Sequence, residues 1–69
     1  MKHIKEQIDI FLAESGISQR QLALKSGVNV VYIHRLTTGK QRDLYSSNAD
    51  ALRIAMQELD PKAAQKALD

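Results

Sequence analysis

Five basic side chains, Arg20, Lys25, Arg35, Lys40 and Arg42, stand within residues 15–42, a window that holds no acid. The acids flank it, with Glu6, Asp9 and Glu14 before and Asp43, Asp50, Glu58, Asp60 and Asp69 after. This segregation suits a polyanionic partner even though the net charge is only +2. It also fits a solvated basic face, because most Lys and Arg side chains are simply exposed. Covalent chemistry has less to work with. There is no cysteine, the acids are dispersed, and no phosphate-cradling glycine loop or Ser-His-Asp set is suggested, so the chain is not expected to be an enzyme. His3 and His34 follow no ligand spacing and have no thiol beside them, so neither a metal nor another cofactor is expected, and no small-molecule ligand is evident.

With 69 residues the chain is expected to be one domain, residues 1–69, too small for a large core or a deep cleft. The absence of cysteine suits a reducing cytosol. Apolar runs fall far short of the roughly 20 residues that cross a bilayer. The first residues, MKHIKEQIDIF, carry acids where a signal peptide would be apolar. A soluble, cytoplasmic protein with no membrane partner is the expectation.

The residues that could bind an anion need helices to position them. Ile4, Ile8, Phe11 and Leu12 mark one face of a first helix over about residues 2–14, ended by Ser15-Gly16. Ser18 and Gln21 form a capping box that opens a second helix, over about residues 19–26, with Leu22, Ala23 and Ser26 on its inner face. Gly27 supplies a left-handed turn, and Asn29 caps a third helix that lasts until Gly39. Two helices linked so closely must cross steeply, as in a helix-turn-helix. Lys40 to Ser46 reads as a polar loop, and Ser47 with Asp50 as a second capping box for a fourth helix carrying Leu52, Ala55, Met56 and Leu59. Asp60-Pro61 starts a short fifth helix with Ala64, Ala67 and Leu68 on one side. No stretch alternates with period two, so the fold is expected to be all-α, a compact bundle of about five short helices.

The pattern Ser18-Gln19, Leu22-Ala23, Gly27-Val28, Ile33, Arg35-Leu36 and Gly39-Lys40 resembles the motif S-Q-x-x-L-A-x-x-x-G-V-x-x-x-x-I-x-R-L-x-x-G-K. That motif belongs to the lambda-repressor-like helix-turn-helix family of phage Cro proteins, repressors and Xre-type regulators. The loop after Gly39 is longer than the family's usual one and lacks its common proline.

The resemblance implies that the third helix lies in the major groove of double-stranded DNA while the second crosses the backbone. On that reading Val30, Val31, His34 and Arg35 face the bases, and Gln19, Arg20, Asn29, Tyr32, Thr38, Lys40 and Arg42 face the sugar-phosphate backbone. Each residue has a plainer role beside that one. Gln19 is either a phosphate ligand or an exposed helix starter. Val30 and Val31 either meet thymine methyl groups or pack against the second helix. Tyr32 either touches the DNA backbone or packs with a wet tip. Arg35 reads a guanine with its planar fork, binds a phosphate, or pairs with an acid of the first or fourth helix.

The functional expectation is a sequence-specific DNA-binding transcriptional regulator. One helix-turn-helix contacts too few base pairs to be selective, so a homodimer on half-sites about 34 Å apart is expected. Helix five is the candidate dimer contact, unless its alanines cap the monomer's core. The alternative is a protein-interaction module, an antitoxin or anti-repressor, that uses Val30, Val31 and Tyr32 as an apolar patch. Leu22, Ala23, Val28, Ile33 and Leu36 are read as packing residues. Replacing Ala23 with leucine should overpack the crossing of the second and third helices and lower stability by on the order of 1–3 kcal/mol in urea unfolding; an unchanged midpoint would place Ala23 away from that crossing.

Overall fold

The computed structural model describes residues 3–40 and 46–69. They form five helices, α1 (Ile4–Ser15), α2 (Gln19–Ser26), α3 (Val30–Thr38), α4 (Ser46–Leu59) and α5 (Pro61–Leu68), and no strand occurs among them. The all-α architecture and the element order follow the hydrophobic periods. Boundaries differ at two starts. The first helix begins at Ile4, after His3 in extended conformation, with the His3 carbonyl accepting from the Gln7 amide; Lys2, where the sequence reading starts it, lies outside the described residues. The fourth begins at Ser46, so Ser47 is a helical residue and not the cap expected there. Asp50, the expected partner of Ser47, instead accepts from Arg53 Nη1 at 3.5 Å, one turn along the same helix.

Local chemistry sets the other ends. Ser18 Oγ accepts from the Gln21 amide at 3.1 Å while Gln21 Oε1 accepts from the Ser18 amide at 3.0 Å, completing the capping box. Asp60 caps α5 by accepting from the Ala63 amide, with Pro61 at the first helical position, where no amide is needed. The ends of α1 and α2 share one device: in Ser15-Gly16-Ile17 and Ser26-Gly27-Val28 the serine oxygen accepts the amide two residues on, at 3.1 and 3.2 Å. Ser26 therefore belongs to the turn's hydrogen bonding, whereas the sequence reading places it on an apolar face.

Each helix gives its apolar side to one core. Ile4, Ile8 and Phe11 come from α1, Leu22 and Ala23 from α2, Ile33 and Leu36 from α3, Ala49, Leu52, Ala55 and Met56 from α4, and Ala63, Ala64 and Ala67 from α5. The fifth helix packs on α1 and α4. Ala64 and Ala67 are buried there in the monomer, which corrects their candidacy as a dimer contact. A chain this short needs every available apolar face to seal its core.

Among the described residues, one polar side chain is inside. Gln7 is 1% exposed, and its Oε1 accepts from Arg53 Nε at 2.9 Å, joining α1 to α4 across 46 positions of sequence. No described buried side-chain N or O atom lacks a partner. The ion pairs Lys25–Glu58 (3.1 Å) between α2 and α4 and Lys66–Glu14 (3.3 Å) between α5 and α1 lie at the surface, where such pairs contribute little. Arg53→Met leaves the Gln7 oxygen buried without a donor and is expected to cost about 1–3 kcal/mol. Adding Gln7→Met removes the orphaned group and should return much of that loss in urea unfolding. Equal destabilisation by the single and double variants would show that the Gln7–Arg53 bond is not the source.

Candidate nucleic-acid interface

The candidate surface is built on α2, α3 and the three residues between them. Gly27 takes φ +77, a left-handed conformation that side chains with a Cβ adopt at a cost, and its amide donates to the Ala23 carbonyl at 2.9 Å. Val28 is buried and anchors the turn to the core. Asn29 Oδ1 then accepts from the Val31 amide at 2.8 Å and starts α3 at once. At the other end, the amides of Gly39 and Lys40 donate to the carbonyls of Leu36 and Arg35 at 3.3 and 3.0 Å. This paired closure fixes the backbone of Lys40 relative to α3.

Helical spacing divides α3 cleanly. Ile33 and Leu36 are buried, Tyr32 and Thr37 are half-buried, and Val30, Val31, His34, Arg35 and Thr38 are exposed. Val30 with His34, and Val31 with Arg35, are neighbours one turn apart on that outer face. All four residues expected to face bases thus share one side of one helix. Val31 is 52% exposed and Val30 39%, with Val30 beside Arg20, Ala23 and Leu24 of α2, so the plainer reading of partial burial against the second helix holds for Val30 and less for Val31. Tyr32 packs partly against the core.

Arg20, Asn29 and Val30 line one shallow groove with Ala23, Leu24, Gly27 and Val28. Among the described residues, Arg20, Arg35 and Lys40 form no salt bridge. The intramolecular pairing weighed for Arg35 is not made with any described acid. Lys25, by contrast, is bound to Glu58. Thr38 Oγ1 donates to the Arg35 carbonyl at 3.2 Å, and Arg42 lies outside the described residues.

Gln19 is half-buried, not merely an exposed starter. Its Nε2 donates to Thr37 Oγ1 at 3.3 Å, tying the beginning of α2 to the last turn of α3. Thr37 Oγ1 in turn donates to the His34 carbonyl at 2.8 Å. Among the described residues, the second Gln19 N–H and the Asn29 side-chain NH2 have no hydrogen-bond partner. Sequence reasoning did not find Thr37 or Leu24. Leu24 is 76% exposed on the α2 side of the groove, and its helical offset from Leu22 was the available signal. Thr37 carried none, since its partner is 18 residues away.

An ideal Cβ built on Gly27 meets nothing within 4 Å, so the demand for glycine there is conformational. Gly27→Ala is expected to lower stability by about 1–2 kcal/mol and Gly27→Asn by less, because asparagine visits the left-handed region more readily. Thermal unfolding checks this; a loss from asparagine equal to or above that from alanine would contradict it. Compared with models of known protein families, with curated proteins and with solved structures, the chain matches none.

Proposed function

We propose that the protein is a sequence-specific, double-stranded DNA-binding transcriptional regulator of the lambda-repressor-like helix-turn-helix family, acting in the cytoplasm by occupying an operator. The observation that carries this reading is the outer face of α3. Val30, Val31, His34 and Arg35 are exposed together there, in a window free of acids, with Arg20 and Lys40 uncommitted to any described acid. In this role α3 enters the major groove and Arg35 bonds a guanine edge through its planar fork. Arg20, Gln19, Asn29, Tyr32, Thr38, Lys40 and Arg42 hold the backbone, which supplies affinity and register. No described helix is long and apolar enough to cross a membrane.

Size supports a homodimer on DNA. The Cα envelope measures 27 × 25 × 20 Å, less than the about 34 Å that separates successive major grooves on one face of the duplex. One copy therefore reads one half-site, and selectivity in a genome calls for two.

A second reading, a protein-interaction module such as an antitoxin or anti-repressor, is favoured by the exposure of Val30 and Val31 beside half-buried Tyr32. Salt dependence separates the two. Affinity for random duplex DNA should fall steeply between low and moderate salt, with a log–log slope of about −0.9 for each phosphate contacted. A flat response counts against DNA binding.

Substitutions then separate base reading from backbone binding. Arg35→Ala is expected to relax preference at one position of a selected operator by about 1–3 kcal/mol, whereas Lys40→Ala weakens selected and random duplexes alike and lowers the salt slope by about one. Fluorescence anisotropy on both duplexes checks this. Uniform weakening by both variants would remove Arg35 from base reading.

A further inference from the structure

Val30 and Val31 open α3, stay exposed, and have His34 and Arg35 one turn beyond them on the same face. Valine presents only methyl groups. Against the polar edge of cytosine or guanine it would displace water from an amino or carbonyl group and return no hydrogen bond. Against the C5 methyl of a pyrimidine it buries apolar surface on apolar surface. The spacing adds a register: positions i and i+4 lie about 6 Å apart along a helix axis, close to two base-pair steps of about 3.4 Å.

Charge identifies the occupant of this apolar face. Val30 shares its groove with Arg20, and Arg35 and Lys40 have no described acid partner. A second copy docked here about a two-fold axis would set these cations against their own equivalents. A nucleic-acid duplex neutralises them while bringing methyl groups to the floor of its major groove.

We propose that Val30 and Val31 form a reader for the C5-methyl group of a pyrimidine, about two base pairs from the guanine contacted by Arg35. The proposal rests on the DNA-binding reading above and gives it a chemical specificity. Two bases carry that group, thymine and 5-methylcytosine, and the site responds to either. Binding to a half-site with cytosine at this position therefore strengthens when the cytosine is methylated.

The test uses the full chain and a duplex selected from a random DNA pool. At each pyrimidine in turn, thymine is exchanged for uracil, which removes one methyl group and nothing else, and then for cytosine and 5-methylcytosine. At a position in each half-site, uracil should weaken binding by about fourfold, the worth of one buried apolar carbon. At the same position 5-methylcytosine should bind about fourfold more tightly than cytosine. The variant V30S/V31S, with native melting confirmed, should erase both differences. The base exchanges stand without it if the variant fails to fold. Selective binding with uracil equal to thymine at every pyrimidine overturns the methyl reader and leaves DNA binding intact. Failure of the chain to select any duplex overturns both.

Discussion

The turn from Gly27 to Asn29 is the constraint on which the candidate surface depends. Its three residues divide the work: Gly27 turns left-handed, Val28 goes into the core, and Asn29 caps the next helix. The serine before them accepts the Val28 amide and donates to the Ala23 carbonyl at 3.3 Å, so the turn carries its own hydrogen bonds. A turn so short and so fully bonded leaves little freedom in how α3 leaves α2. That is why Arg20, near the start of α2, and Val30, at the start of α3, line the same groove. The Gln19–Thr37 bond joins the far ends of the same pair.

Burial elsewhere gives the exposed valines their weight. Among the described residues, fifteen apolar side chains drawn from all five helices and the turn make up the core, and the fifth helix spends its alanines inside it. The large apolar side chains left exposed among the described residues are Leu24, Val30, Val31 and Ile54, and three of these four lie on α2 and α3. In a domain that needs apolar area for stability, these side chains are left out of the core beside arginines that pair with no described acid.

Much of this was legible in the chain because it is local. Helix ends are set by residues within a few positions of one another. Ser18 and Gln21, Asn29 and Asp60-Pro61 act where their types and spacing place them. The inner face of each helix was legible for the same reason, since a period of 3.6 separates Leu22 from Leu24 without reference to any neighbour. Legibility ended where side chains choose among several local partners. Asp50 could have capped α4 from Ser47 but takes Arg53, and Ser26 looked like a place on an apolar face but closes a turn.

By itself, then, the sequence determined the five helices, the turn that joins the second to the third, and the acid-free basic window, because caps, glycine conformations and hydrophobic periods act over short range. Only the tertiary structure decided the rest. It turned α5 inward, buried Gln7 against Arg53, tied Gln19 to Thr37, and left Val30, Val31 and Arg35 facing outward together. Each of these outcomes depends on which helix lies against which. That choice is made by filling one small core from five faces at once, and no single stretch of the chain encodes it.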